Sequence, residues 1–524
     1  MKRTRIADPN LHPFCRKHSA HITGVLSCFD RIIFKGYLPF CRPEVLSAFL
    51  WQRGVLLKDF KPFVSSCSEA IKNHAMSIAK KAARPYLYLN RAKDKEAQVS
   101  AIVARDQITE GLICVLATLE QCPSFKLCSA ANGLKLSAAV PRCLCIYFYF
   151  IDRVFGRMHV RLQTWFPFTV QVYINGHEWL ARQLDRHGIE YQRLDNAFIR
   201  LQDTRRVQRF ADRLANHQNW PRVLGALARR ANPHLRGLLK GLSYYWIIDQ
   251  AEYSTDILFE DRAALKGLYS KLLQHATVCF SAEDVMSFLG RKLNGNFQGE
   301  VLTDCKRRWQ GTRIKHRLKG NWIKMYDKHG RVLRIETVIN QPYEFRVRRQ
   351  GLRQGKVVKG WFPMAKGVAN SYRYAQVAQG ANLRYLEALS VVDDPACAYR
   401  LLDRLCEPIT RRQRRYRGLN PLRRSEINLF ASVLRGEHFI RGFRNRDVAL
   451  GIGLTGSGSS SQRKRQSACV SRKLRLLRAH GLIAKISHAR RYRLTLCGAT
   501  LMTAALLARH HELPNYLRAQ VLLR

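Results

Sequence analysis

Gln466-Ser467-Ala468-Cys469-Val470-Ser471-Arg472-Lys473-Leu474-Arg475-Leu476-Leu477-Arg478-Ala479-His480-Gly481 reads as one helix and its stop. Val470, Leu474 and Leu477 recur at helical spacing, while Arg472, Lys473, Arg475 and Arg478 fill the other faces. Gly481 supplies the C-terminal break, and Leu482 and Ile483 return the chain to a core. Residues 484–487 and 491–495 then predict two short strands with a turn at His488-Ala489-Arg490, and a further helix starts at Gly498.

A basic helix, a glycine stop and a basic hairpin in this order resemble the recognition helix and wing of a winged-helix domain of the MarR-like kind. The resemblance covers about the last hundred residues. It implies duplex DNA binding, with the helix in the major groove and the hairpin beside the adjacent phosphates. The residues it marks for DNA contact are Arg463, Lys464, Arg465, Arg472, Lys473, Arg475, Arg490 and Arg491. A winged helix that binds protein, or one that only packs, is the plainer alternative.

The charge supports a polyanionic partner. Lys and Arg total 90 against 38 Asp and Glu, a formal net charge of +52 over 524 residues. With 46% hydrophobic residues the chain can still bury sizeable cores, which excludes a disordered polycation. Nucleic acid is the first candidate partner (duplex DNA, then single-stranded DNA, with RNA as a further alternative), and an anionic membrane surface is the second. No apolar run approaches the ~20 residues of a membrane span, and the basic start at Met1-Lys2-Arg3-Thr4-Arg5 lacks an apolar segment behind it. A cytoplasmic protein with no membrane role is expected. The 15 cysteines form no CxxC pair and are expected as buried free thiols.

Upstream, the pattern predicts an α+β, multidomain protein: a mixed sheet and helix body followed by the winged helix. The expected regions are 1–120 (α/β), 121–407 (α+β with hairpins), an arginine-rich linker at 408–424, and 425–524, with a flexible loop at 456–461. Residues 24–36 read as a strand with Asp30 near its middle; 43–53, 67–83 and 95–109 read as helices, and 112–119 as a strand. Residues 144–151 and 158–168 form an expected hairpin in which His159, Arg161 and Gln163 share one face. Residues 178–187 predict a helix, and 207–289 a mostly helical stretch. Within it, 242–259 would place Glu252 and Asp256 on one helix face. Residues 322–328 and 332–339 form a second expected hairpin, 346–359 a basic turn-rich segment and 366–402 a helix.

Tyr326-Asp327-Lys328 followed by Arg334-Ile335-Glu336 resembles a block found in rolling-circle replication initiators of plasmids and filamentous phages. That resemblance spans about thirty residues. It implies a metal ligand at Glu336, a DNA channel lined by Tyr326, Lys328 and Arg334 with Lys324 beside them, and a tyrosine that attacks a phosphodiester. The block lacks a His-hydrophobic-His metal motif, and no residue pattern singles out a nucleophile among the 20 tyrosines. A hairpin that binds phosphate without cutting it is the alternative.

Asp30 and Asp152 both sit inside apolar strand-like runs, where an unpaired carboxylate is costly. Their neighbours Arg31 and Arg153 offer ion pairs. The sharper reading has Asp30, Asp152 and Glu336 (or Glu300) converging on Mg²⁺ or Mn²⁺, as acidic clusters do in nucleases and transposases. His159 is a candidate base on the same terms, and otherwise a structural histidine; His177, Glu178, Glu252 and Asp256 read equally as surface charges. Trp165, Phe166, Phe168, Tyr173, Tyr244, Tyr245 and Trp246 suit either base stacking or a core.

The whole chain also resembles a family of highly basic bacterial proteins carrying blocks equivalent to 29–36, 159–168 and 323–328; this implies kinship and no mechanism. Two functions are carried forward. One is a strand-cutting enzyme of a mobile genetic element, replication-initiator-like or transposase-like. The other is a non-enzymatic regulator or nucleic-acid scaffold. No Walker A motif is present.

Overall fold

A computed structural model describes residues 12–90, 95–130, 133–217, 219–291, 300–308, 311–392, 402–403, 405–411, 413–454, 459–486 and 489–509. The basic lead 1–5, Arg412, Gly456 to Gly458 of the expected loop, and His488 lie outside them. The fold is α+β. The chain divides into two compact units, each assembled from segments distant in sequence. One comprises Met1–Thr23, Ile257–Ile335 and Gly380–Arg524; the other comprises Gly24–Asp256 and Glu336–Gln379.

The second unit is built on a mixed sheet. Its strands are β1 (Ile22–Tyr37), β2 (Tyr86–Tyr88), β3 (Gly111–Gln121), β6 (Arg142–Asp152), β7 (Gly156–Gln163), β8 (Val170–Asn175) and parts of β11 (Tyr245–Phe259) and β15 (Val332–Ile339). Hairpins β4 (Ser124–Ala130) with β5 (Gly133–Ala139), and β9 (Tyr191–Leu194) with β10 (Ala197–Leu201), stand apart from it. The strand order is β15-β11-β1-β8-β7-β6-β3-β2. Pairing is antiparallel from β1 through β8, β7 and β6 to β3, and β2 joins β3 in parallel.

Alternation divides β6 between two cores. Ile146 and Phe148 point into one, with Val160, Leu162 and the helix Phe60–Lys81. Cys143, Cys145, Tyr147, Tyr149 and Ile151 enter the other, against Val99 and Ile102 of the helix Lys95–Asp106. Both faces are therefore covered, which is why the sequence here is apolar almost throughout. The helix Phe60–Lys81 buries Phe60, Val64, Cys67, Ile71, Ala75 and Ala79, a stripe at three- and four-residue steps.

One expectation fails here. Residues 245–259 are a strand and not a helix, so Glu252 and Asp256 are neighbours along one strand. The run holds Tyr245, Trp246, Ile247, Ile248, Tyr253, Thr255 and Ile257, aromatic and β-branched residues that suit a covered strand better than a helix. Because the strand is buried from Ala251 to Phe259, its polar residues do not alternate with apolar ones, and four-residue spacing imitates a helix face. The hairpin strand expected over 158–168 also ends early, at Gln163. The basic segment after residue 346 is an antiparallel ribbon of β16 (Arg346–Arg353) and β17 (Lys356–Pro363).

In the first unit β12 (Val301–Arg308), β13 (Gly311–Leu318) and β14 (Asn321–Lys328) form an antiparallel ladder. Register sets Lys306 opposite Arg313 and Arg313 opposite Tyr326; Lys315 faces Lys324. The C-terminal part has its own core. Ile427, Phe430 and Val433 of the helix Arg424–Val433 meet Val448, Val470, Leu474, Leu477, Ile483 and Met502. Leu419 of the arginine-rich segment and Leu405 just before it join that core, and the segment forms a short hairpin, β18 (Ile409–Arg411) with β19 (Arg414–Tyr416).

The long helix there runs Ser460–Ala479, capped by Ser459 and Gln462 side chains that each take the other's backbone N–H. Gly481 ends it at φ 72°, with the Leu482 N–H returning to the Leu477 carbonyl. Strands β20 (Ile483–Lys485) and β21 (Tyr492–Leu494) follow as an antiparallel pair, then the helix Leu496–Leu507. Val470, Leu474 and Leu477 are buried; Arg463, Lys464, Arg465, Arg472, Arg475 and Arg478 are exposed, and Lys473 is partly so. Among the described residues no helix is long and apolar enough to cross a membrane.

Candidate metal centre

Asp30 on β1, Glu252 on β11 and Glu336 on β15 come from three strands consecutive in the sheet order. One carboxylate oxygen from each lies within 4.8 Å of the other two. All three belong to the second unit. Glu252 and Glu336 are buried, and Asp30 is the partly exposed member. Two carboxylates at this separation repel by about 3 kcal/mol at an effective dielectric constant of 20, so the cluster requires positive compensation.

The surrounding residues hold the carboxylates in place. The Arg31 guanidinium donates to Glu252 Oε1 at 2.5 Å. Burial pulls the Arg31 pKa down, but Glu252, with smaller help from Tyr173 and Asp30, takes it above its ordinary value. The Asn196 amide donates to Asp30 Oδ1 at 2.5 Å, and Asn175 Nδ2 donates in turn to Asn196 Oδ1. His177, fully buried, stands with Nδ1 3.0 Å from Asp30 Oδ1 and Nε2 3.4 Å from Asp256 Oδ2.

Local folding places that histidine. Asn175 ends β8 and caps the helix Gly176–Arg186, its side chain accepting the His177 and Glu178 N–H groups. Gly176 is required because a Cβ there would run into the Phe29 carbonyl oxygen. The helix start thus lies against β1 beside Asp30. Burial, and then the Asp30 charge, push the neighbouring Tyr173 hydroxyl up to about 12.

The set of three oxygens suits a hard divalent cation. Oxygens on one octahedral Mg²⁺ lie about 3 Å apart when adjacent and about 4.2 Å when opposite, so the side chains close by up to about 2 Å to share one ion. A carboxylate has two oxygens, so Glu252 can keep Arg31 on one and offer the other.

The structure brings Asp30 and Glu336 together, as expected, and leaves Asp152 out. Asp152 is on β6, three strands from β1 and so about 14 Å away. Its Oδ1 accepts the Val154 and Phe155 N–H groups and closes the β6–β7 turn. Glu252 takes the third place. It is not a surface charge, nor are His177 and Asp256: all three are buried. The available signal was an acid embedded in an aromatic, β-branched run, the same signal that marked Asp30.

His159 is not a base at this centre. It lies on β7, two strands from β1, stacked on Tyr173 with ring centroids 5.0 Å apart and tilted against Tyr149. Arg161 and Gln163 do share its face, but both are buried. Arg161 pairs with Glu120, and the Gln163 amide donates to the Pro123 and Phe166 carbonyls. Arg334 is fully buried and Lys328 nearly so, so neither lines an open DNA channel. Strand β15 is covered along its whole length, and only burial, not sequence pattern, separates these cations from the partly exposed Lys324 and Tyr326. Phe166, Phe168, Tyr244 and Trp246 are core residues, whereas Tyr245 is exposed.

Burial lowers the His159 pKa to about 3, with Lys95, Arg161 and Arg157 adding to the effect. Burial is also the main cause for His12, His275 and His316, each lowered to about 4. The unfolded chain takes up these protons near pH 6.5 and the folded chain does not. The stability from these neutral, buried imidazoles is therefore complete above pH 6.5 and is lost as pH falls toward 4. Thermal denaturation followed by circular dichroism is expected to give a midpoint several degrees lower at pH 5 than at pH 7.5. An unchanged midpoint would mean that these rings are protonated in the fold.

Comparison with protein-family models, curated proteins and solved structures finds no match to this chain.

Proposed function

We propose that this protein is a DNA-binding, strand-cutting enzyme of a mobile genetic element, working in the cytoplasm with Mg²⁺ or Mn²⁺ held by Asp30, Glu252 and Glu336. The observation that carries the reading is the meeting of these three carboxylates on neighbouring strands, with a histidine and an asparagine orienting Asp30. A net charge of +52 and the exposed arginines of the helix Ser460–Ala479 favour DNA as the substrate. The order of that helix, its glycine stop and the β20–β21 hairpin favours a winged-helix role for the C-terminal part.

The chemistry is phosphodiester hydrolysis. A divalent ion there would supply charge for the phosphate and lower the pKa of an attacking water. The protein's own part is orientation: His177 and Asn196 fix Asp30, Arg31 fixes Glu252, and Asp256 holds the far side of the His177 ring. Water is the nucleophile in this reading.

A second reading, a non-enzymatic DNA-binding regulator or scaffold, is favoured by the Arg31–Glu252 ion pair, which compensates part of the cluster's charge without a metal. The test is purified protein with end-labelled single- and double-stranded DNA in Mg²⁺, Mn²⁺ or EDTA, resolved on a denaturing gel. Metal-dependent cutting supports the enzyme, and a protein-linked DNA end would replace water by a tyrosine. Tight, salt-sensitive binding with intact DNA in every lane supports the scaffold.

A further inference from the structure

The ribbon β16–β17 is a surface that the carboxylate centre does not use. Its strands pair with each other and with no other strand among the described residues. Eight residues a side give a length of about 27 Å. Gln354 and Gly355 turn the tip with φ of 52° and 75°, the positive pair that matches the twist of a two-residue hairpin. The base is anchored. Phe345, Val347 and Met364 are buried, and Arg373 donates to the Arg346 carbonyl at 2.8 Å.

Between residues 346 and 363 stand six cations, Arg346, Arg348, Arg349, Arg353, Lys356 and Lys359, and no carboxylate. All six are exposed, and among the described residues none forms an ion pair. Leu352 and Val357 lie directly opposite each other next to the tip, 71% and 70% exposed. Two large apolar side chains on the end of a cationic ribbon gain nothing in water. They do match a duplex groove, where a two-stranded ribbon fits, cations meet the flanking phosphates and apolar side chains wedge against base steps.

We infer that β16–β17 is an arm that enters a groove of duplex DNA. Arg353 and Lys356 reach phosphates on either side, and Leu352 with Val357 presses on the bases and bends the helix. This rests on the reading of DNA as the partner but not on the reading of the carboxylates as a cutting site, so it is tested in EDTA, where no cleavage is needed.

The measurement is fluorescence anisotropy on a labelled 30-base-pair duplex across a salt series, with end-to-end energy transfer reporting the bend. Arg353→Ala with Lys356→Ala is expected to weaken duplex binding about tenfold and to reduce the salt slope by about two. Leu352→Ser with Val357→Ser is expected to keep the slope and abolish the bend. All four side chains are exposed, so circular dichroism should be unchanged. If wild type binds the duplex and both variants bind and bend it as well as wild type does, the arm is overturned while DNA binding stands. If the charge variant loses as much affinity for single-stranded DNA or RNA of the same length, the arm tracks backbone charge and the groove assignment falls. If wild type binds no duplex, the reading of DNA as the partner falls with it.

Discussion

Glu336→Gln is expected to bind DNA as wild type does and to cut it at least about a thousand times more slowly. The amide keeps the shape of the side chain and removes the charge that a divalent ion needs. Losing several kcal/mol of charge stabilisation in the transition state corresponds to a loss of that size. Glu252→Gln and Asp30→Asn should behave alike, because the three oxygens lie within 4.8 Å of one another and serve one ion. Asp152→Asn is the control. Its carboxylate closes a turn on β6, so cutting should stay within about twofold of wild type. Manganese should also raise the thermal midpoint of wild type and of the Asp152 variant but not of the other three, since only a formed site gains stability from the ion. Wild-type cutting by Glu336→Gln would remove the metal centre from the mechanism.

The second large effect concerns the helix Ser460–Ala479. Arg472→Glu combined with Arg475→Glu is expected to weaken duplex binding by about a hundredfold near 0.1 M salt and to flatten the salt dependence by at least about two. Both side chains are exposed, and the buried face of Val470, Leu474 and Leu477 is untouched, so the fold should survive. Leu474→Ala offers the contrast. It opens a cavity in the C-terminal core and should lower stability by about 2–5 kcal/mol, with binding lost only as the domain unfolds. Anisotropy titrations at three salt concentrations would separate the two. Unchanged affinity in the double reversal would move the binding surface away from this helix.

Much of the local architecture was legible. The stop at Gly481, the hairpin around His329 and Gly330, the helix over 178–187 and the buried stripe of the C-terminal helix each rest on contacts within a few residues. The failure at 245–259 has a specific cause: a strand covered on both faces loses its two-residue alternation, and Glu252 and Asp256 at four-residue spacing then imitate a helix. Lys328 is the buried last residue of β14, a strand whose burial otherwise alternates; Arg334 failed for a related reason. Cations in a covered strand look the same in sequence as cations on an open one.

The candidate site divides along the same line. By itself the sequence required that Asp30, set in an apolar strand, find a partner, because burying a lone carboxylate is too costly. It placed Glu336 in a strand and placed a basic helix and hairpin at the C-terminal end. It did not say that Glu252 rather than Asp152 would stand beside Asp30, nor that His177 would lie between Asp30 and Asp256. Those facts depend on strand order, β15-β11-β1 on one side and β8-β7-β6 on the other. Periodicity reports which face of its own strand a side chain occupies. Which strands become neighbours is settled by packing among segments hundreds of residues apart, and only the folded sheet brings three distant carboxylates to one point.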